Sequence, residues 1–137
     1  MLITVFIGRL ALAFILGALI GAERQVRQKS AGLRTNTLVS IGAAGFVLMA
    51  YTIGDMAVGR VASYVVSGIG FLGAGVIMKD GFSIRGLNTA ATIWCSASVG
   101  SMCAVGLWME AIAMTVLILL AHISLRPIGN IINKLSF

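Results

Sequence analysis

Residues 86–125 form the longest stretch of this chain with almost no charge: Glu110 is the only Asp, Glu, Lys or Arg among forty positions. An α-helix rises about 1.5 Å per residue, so one continuous helix would extend about 60 Å, roughly twice the hydrocarbon thickness of a bilayer. A segment of this kind must therefore fold back on itself. We predict the turn between Gly106 and Glu110.

Three further windows are apolar over the length of a membrane-spanning helix. Residues 1–22 contain only Arg9 as a charge, and residues 35–54 and 61–78 contain none. The chain is 59% hydrophobic and only 10% charged, which excludes a soluble globular domain and a disordered chain. We therefore predict an all-α integral membrane protein, with a domain at 1–126 and a short tail at 127–137. Its five predicted transmembrane helices are 3–22, 36–53, 60–79, 87–105 and 108–125.

Lys and Arg concentrate in alternate connections between the predicted spans. Eight of the ten follow spans one, three or five, namely Arg24, Arg27, Lys29, Arg34, Lys79, Arg85, Arg126 and Lys134. Short connections rich in basic residues stay on the cytoplasmic side, so we predict an N-terminus outside the cell and Phe137 inside it. The basic residues form no aromatic-interleaved patch, so we expect no nucleic-acid partner.

Small residues predict where the helices pack, because close backbone approach drives helix association in lipid. Gly17 and Gly21 form one small pair on span one. Span three has a helical row of small residues and further glycines at 68, 73 and 75, so we predict that it lies at the centre of the bundle. The row is Ser63, Ser67, Gly70 and Ala74.

A weak internal repeat relates the two halves of the chain. The residues LGA at 16–18 and GLRT at 32–35 match LGA at 72–74 and GLNT at 86–89. With the orientation above, the repeat is parallel, a building plan that transporters share. Chance similarity in so biased a composition explains it equally well.

Four segments together resemble the MgtC/SapB family of bacterial inner-membrane proteins, and most closely its MgtC branch. They are GAERQ at 21–25, AGLRTN at 31–36, VSGIGFLGAG at 66–75 and RGLNTAAT at 85–92. The resemblance implies a regulatory protein, linked to virulence, that supports growth in low magnesium and survival inside macrophages. It also implies binding to other membrane proteins such as the ATP synthase. Many relatives continue into a soluble domain, which we expect this chain to lack.

Polar residues at the predicted cytoplasmic edges of the spans are the candidate functional site. We expect Glu23, Arg34, Arg85, Asn88 and Thr89 to form one polar cluster, since unpartnered polar groups are costly there. The family motifs fall on Glu23 and Asn88. The alternative assigns the arginines, including Arg24, to lipid phosphates, and the Asn and Thr side chains, including Asn36, to capping helix starts.

Metal, cofactor and enzyme functions have little support. Mg²⁺ prefers carboxylate and water oxygens, and the four carboxylates are divided between the two sides, so we predict no metal site and no cofactor. No nucleophile and base form a catalytic motif, so we expect no enzyme, and we assign the single His122 to packing or lipid headgroups. Membrane proteins, the bilayer and a second copy are the expected partners. A small ion transporter or channel for magnesium homeostasis is the alternative function.

Overall fold

The computed structural model describes residues 1–136 and contains five α-helices and one short β-hairpin. The helices are α1 (Ile3–Val26), α2 (Leu33–Ile53), α3 (Asp55–Gly75), α4 (Leu87–Ala104) and α5 (Trp108–Leu135). The hairpin pairs β1 (Met78–Asp80) with β2 (Ser83–Arg85). The all-helical fold class is confirmed. Phe137, the predicted cytoplasmic end, lies outside the described residues.

Hydrogen bonds at both ends of the bundle show that α1 and α4 are antiparallel. Near the start of α1, Arg9 donates from Nη1 to the carbonyl oxygen of Ala104, 2.7 Å away at the end of α4. Near the end of α1, Arg24 donates to Thr89 at the start of α4 over 3.0 Å. We call the end that holds Arg24 and Thr89 the basic end, and the opposite one the far end.

The connection between α2 and α3 is a single residue, Gly54, at the far end. Its φ of 140° and ψ of 157° lie in a region that essentially only glycine adopts. α3 begins at Asp55, earlier than the start near residue 60 predicted for the third membrane span. Arg60 ends the uncharged window, but a charge limits the stretch that crosses hydrocarbon and does not end a helix.

The β-hairpin replaces the predicted last turn of the third span. α3 ends at Gly75, whereas the prediction extended to residue 79, and Met78–Asp80 are in the hairpin strand. The chain then passes very close to itself at Gly86, where a Cβ would overlap the backbone of Val76. Gly86 has a φ of 89°, so both its conformation and its surroundings favour glycine.

The last helix is longer than its predicted span. α5 runs from Trp108 to Leu135, although the uncharged window ends at residue 125 and the remainder, 127–137, is predicted as a tail. It also contains Pro127, which removes one backbone N–H donor from the helix. Arg126 ends the uncharged window but not the helix, just as Arg60 limits the window of the third span but lies inside α3.

The centre of the bundle is α4 with α2, not α3. α4 contacts each of the other four helices. Nine residues are buried in α2 and nine in α4, but within the described part of the chain Gly73 is the only buried residue of α3. The prediction that span three is central is therefore wrong. Its small residues indicate a face that permits close approach, but they do not show that the neighbour belongs to the same chain.

Glycines do form the tight contacts where α1 and α4 meet α2. A Cβ on Gly17 would lie 2.6 Å from Cβ of Ser40, and a Cβ on Gly21 would lie 2.7 Å from Cα of Leu33. A Cβ on Gly100 would overlap the carbonyl group of Ser40. Three helices therefore approach nearly to backbone contact around Ser40, as small residues allow.

Four of the five helices are long and apolar enough to cross a bilayer, by length and composition: α1, α2, α3 and α5. α4 has 18 residues and carries several hydroxyl side chains, of which Thr89, Thr92 and Ser96 are buried in the bundle. Their hydrogen bonds are made inside the protein, so a low hydropathy does not prevent α4 from lying within a membrane. The count of five spans stays a prediction.

Gly100→Ala is expected to destabilise the folded protein by about 1–3 kcal/mol, since its methyl group would push α4 away from Ser40. Gly70→Ala is the matched control, because a Cβ there has no described atom within 4 Å. Both variants gain the same helix propensity, so the difference between their thermal unfolding midpoints in detergent reports the steric clash of the new methyl group with Ser40. Equal midpoints for the two variants would contradict the tight contact.

Candidate functional site at the basic end

The basic end brings together the last turns of α1, the start of α4 and the middle of α5. Glu23 and Arg24 are adjacent on α1 but point to different partners. Glu23 pairs with Arg27 one turn later and faces His122 of α5, while Arg24 reaches Thr89 of α4. The site therefore joins three helices through side chains that carry charge or a transferable proton.

His122 connects Glu23 to α4 through a chain of polar contacts. The Thr92 hydroxyl donates to the carbonyl oxygen of Asn88 over 2.8 Å, because a carbonyl can only accept. His122 Nε2, 2.9 Å from that hydroxyl, must then be the donor to it. His122 Nδ1 lies 3.0 Å from Oε2 of Glu23, so the two side chains form an ion pair when the imidazole is protonated.

Arg24 is the most deeply buried charged residue of the site, with a relative exposure of 2%. Its Nη2 donates to Oγ1 of Thr89 over 3.0 Å. Its Nε has no hydrogen-bond partner among the described residues. A guanidinium offers five N–H donors, and leaving a buried one unpaired is costly, so this part of the site is incomplete without an acceptor.

Asn36 forms a second polar junction, between α2 and α4. Its side chain is fully buried and Nδ2 donates to the carbonyl oxygens of Ala31 and Gly32, each 3.0 Å away. Its Oδ1 accepts from the Ser96 hydroxyl over 2.8 Å. Ser40 on the same helix donates to the carbonyl oxygen of Ala13 in α1 over 2.7 Å. These bonds fix α1, α2 and α4 beside the charged site.

A cavity of about 450 Å³ opens between α1, α4 and α5 at the basic end. Basic and polar side chains line part of it: Arg24, Arg27, Lys29, Asn88, Thr92, His122 and Arg126. Apolar side chains line the remainder, among them Cys95 and Ile118. Glu23 contacts this cluster through Arg27 and His122 but does not line the cavity.

The structure gathers three of the five residues of the predicted polar cluster. Glu23 and Thr89 make the contacts above, and Asn88 is exposed at the rim of the cavity. Arg34 and Arg85 are exposed, and their side chains take no part in the hydrogen bonds or ion pairs found among residues 1–136. The edge that these residues were predicted to share therefore did not bring the two arginines into the cluster.

The alternative assignments of Arg24 and Asn36 are wrong. Arg24 is buried against Thr89 and does not project to lipid phosphates. Asn36 donates to carbonyl groups that precede its helix, and the first N–H of α2, at Leu33, bonds instead to Oε1 of Gln25.

Sequence reasoning did not assign His122 or Thr92 to the site. One available signal was that Thr92 follows Asn88 by one helical turn, so both lie on one face of α4. Nothing in the sequence placed α5 beside that face. Within residues 1–136, no three His, Cys, Asp or Glu side chains are grouped so that they could hold a metal ion.

The helices and this buried polar site define the class as an all-helical membrane protein whose helices are joined by polar bonds. The sequence profile of the MgtC family matches residues 10–131. The chain belongs to the MgtC family.

Curated relatives agree with this assignment. "Protein MgtC" of Salmonella typhimurium is 56% identical over 135 residues, which cover 98% of this chain and 58% of the relative. "Protein MgtC" of Brucella abortus is 56% identical over 125 residues, covering 90% of this chain and 52% of the relative. An uncharacterized protein of Synechocystis is 54% identical over 126 residues, covering 91% and 54%. This chain thus spans little more than half the length of these relatives. No solved structure matches it.

Asn36→Ala is expected to destabilise the protein by about 2–3 kcal/mol, since it leaves the Ala31 carbonyl group and the Ser96 hydroxyl without the side chain that bonds them, while the Gly32 carbonyl keeps the backbone N–H of residue 36. Asn130→Ala, at an exposed position of α5, is the control and should change little. Adding Ser96→Ala to Asn36→Ala should cost less than the two separate losses together. If the double variant lost the sum of the two single losses in unfolding free energy, measured in detergent, the two side chains would not be coupled.

Proposed function

We propose that this chain is a regulatory inner-membrane protein, not an enzyme, that acts by binding other integral membrane proteins. Through such binding it supports growth in low magnesium and survival inside host cells, and the ATP synthase is one candidate partner. Membership of the MgtC family supports this function. The structural observation that carries it is the exposed small-residue face of α3.

This α3 face is the row Ser63, Ser67, Gly70 and Ala74, and all four residues are exposed. A Cβ on Gly70 would have no described atom within 4 Å, so no helix of this chain occupies the face. A small face lets a second helix approach closely and gain dispersion contacts that lipid tails, which pack loosely, do not supply. A transmembrane helix of a partner protein fits this face better than lipid does.

The proposed topology has five spans, with α4 as the fourth, the N-terminus in the periplasm and the C-terminal end in the cytoplasm. The antiparallel contacts of α1 and α4 support an alternating arrangement. Eight of the ten basic residues then lie between the last turn of α1 and the first turn of α2, between α3 and α4, or in the second half of α5, and Arg9 and Arg60 belong to the far end. This distribution follows the preference of Lys and Arg for cytoplasmic connections.

The topology predicts the sidedness of cysteine labelling in cells, in a background where Cys95 and Cys103 are replaced. A membrane-impermeant maleimide should label Ala57→Cys from outside and should label Gln28→Cys only after the cells are opened. Both positions lie beside ends of helices. Labelling of position 28 in intact cells, with protection of position 57, would reverse the orientation.

Gly70→Leu is expected to leave abundance unchanged and to abolish the contact with the partner. A photocrosslinker at Ser67 in the native membrane should capture another membrane protein in the parent chain, and Gly70→Leu should remove that product. Growth in low magnesium should fall with it. Gly8→Leu is the matched control, because Gly8 is exposed on α1 and a Cβ there also has no described atom within 4 Å.

Three outcomes would overturn the proposal. Crosslinks and growth that persist in Gly70→Leu would show that the face binds nothing required. A crosslink to a second copy alone would assign the face to self-association. If Gly8→Leu lost the crosslinked product and growth to the same extent, the cause would be a general effect of a larger side chain at the surface.

A further inference from the structure

The basic end has a surplus of positive charge around the open cavity between α1, α4 and α5. Four cationic side chains line the cavity, Arg24, Arg27, Lys29 and Arg126. The carboxylate that contacts this set is Glu23, which pairs with Arg27. With four positive charges against one negative charge, the cavity walls carry a surplus of three positive charges, which favours an anion inside.

Arg24 is the buried cation of this set. Arg24 is 2% exposed and is one of the residues that line the cavity, and its Nε, which is itself buried, has no acceptor among the described residues. A phosphate in the cavity would place a negative charge beside this guanidinium, and a charge-assisted hydrogen bond is about twice as strong as a bond between neutral groups. Thr89 already holds the other branch of the guanidinium, so the side chain is positioned before a ligand arrives.

The cavity also has an apolar part that lies deeper in the bundle. α4 runs away from the basic end, and Cys95 lies seven residues beyond Asn88, a rise of about 10 Å. α5 runs towards the basic end, so Ile118 lies one turn deeper than His122. Both Cys95 and Ile118 line the same cavity as the four cations. The space therefore suits a molecule with an anionic head and an apolar continuation.

We propose that this cavity binds the headgroup of an anionic phospholipid, with its phosphate beside Arg24 and Arg126 and the start of an acyl chain between α4 and α5. Its volume of about 450 Å³ lies within the common range of ligand sites. Basic pockets between transmembrane helices are a recurring type of headgroup site. The proposal concerns α1, α4 and α5, and it does not depend on the partner face of α3.

The test uses the purified full chain, stripped of lipid in detergent, and measures retained lipid by native mass spectrometry. Phosphatidylglycerol should bind in a 1:1 complex, whereas phosphatidylcholine, whose phosphate is neutralised by choline, should not. Arg126→Gln and Lys29→Gln should each weaken phosphatidylglycerol about fivefold, and the double variant about twentyfold or more. Both side chains are accessible enough to be replaced without unfolding the core.

Arg34→Gln is the matched control for charge. Arg34 is basic and exposed at the same end, but it does not line the cavity, so its loss should leave binding unchanged. Equal binding of the two lipids, or equal weakening by Arg34→Gln and Arg126→Gln, would overturn the proposal, because either result indicates general attraction of lipid to a basic surface.

A second pair of variants separates a lipid from a soluble phosphate. Ala121→Phe should fill the apolar part of the cavity without changing its charge and should release phosphatidylglycerol. Ala113→Phe, exposed on the same helix and outside the cavity, should retain it. Inorganic phosphate that competes as strongly as phosphatidylglycerol at equal concentration, or lipid binding unaffected by Ala121→Phe, would show that the acyl chain plays no part and would overturn the lipid assignment.

Discussion

Close packing of α1 and α4 on α2 is the contact on which the rest of the structure depends. In lipid, burying an apolar side chain against another helix gains little over burying it against acyl chains, so helices need close backbone approach and polar bonds. Both occur at Ser40. Its side chain donates to α1, and its carbonyl group lies against Gly100 of α4. Asn36, one turn earlier on α2, adds a bond to Ser96, so the three helices have one permitted register.

That register determines the chemistry of the basic end. Since α1 and α4 are fixed along their length, Arg24 and Thr89 must meet at the ends of their helices, and the guanidinium is held away from water. Arg9 and Ala104 make the corresponding bond at the far end. α5 then reaches the site through His122, which contacts Glu23 of α1 and Thr92 of α4. The cavity lies beside this last helix, where packing is least close.

The sequence predicts the positions of the apolar helices, which the thickness of the bilayer determines. It does not predict how each helix is rotated and packed against its neighbours. The hydrocarbon thickness fixes the length of apolar segments, so the helices were located from the sequence. Their ends at Asp55, Gly75 and Leu135 depend on local turns and backbone hydrogen bonds, which an apolar window does not indicate. Glu23 and Thr89 were found because polar groups at span edges require partners. Arg34 shares that edge but points to the exterior, and no periodicity in a single sequence gives the rotation of one helix against another.

α4 is the element that links the two proposed sites. α3 contacts α2 and α4, and α5 contacts α4 and α1, so the partner face and the cavity lie on different neighbours of one central helix. Gly86, just before α4, is held against the end of α3, and Thr92 is held against His122. An effect of lipid on partner binding would therefore have to pass through a displacement of α4. Asn88 lies between these two contacts, at the rim of the cavity, where a small shift of α4 changes both.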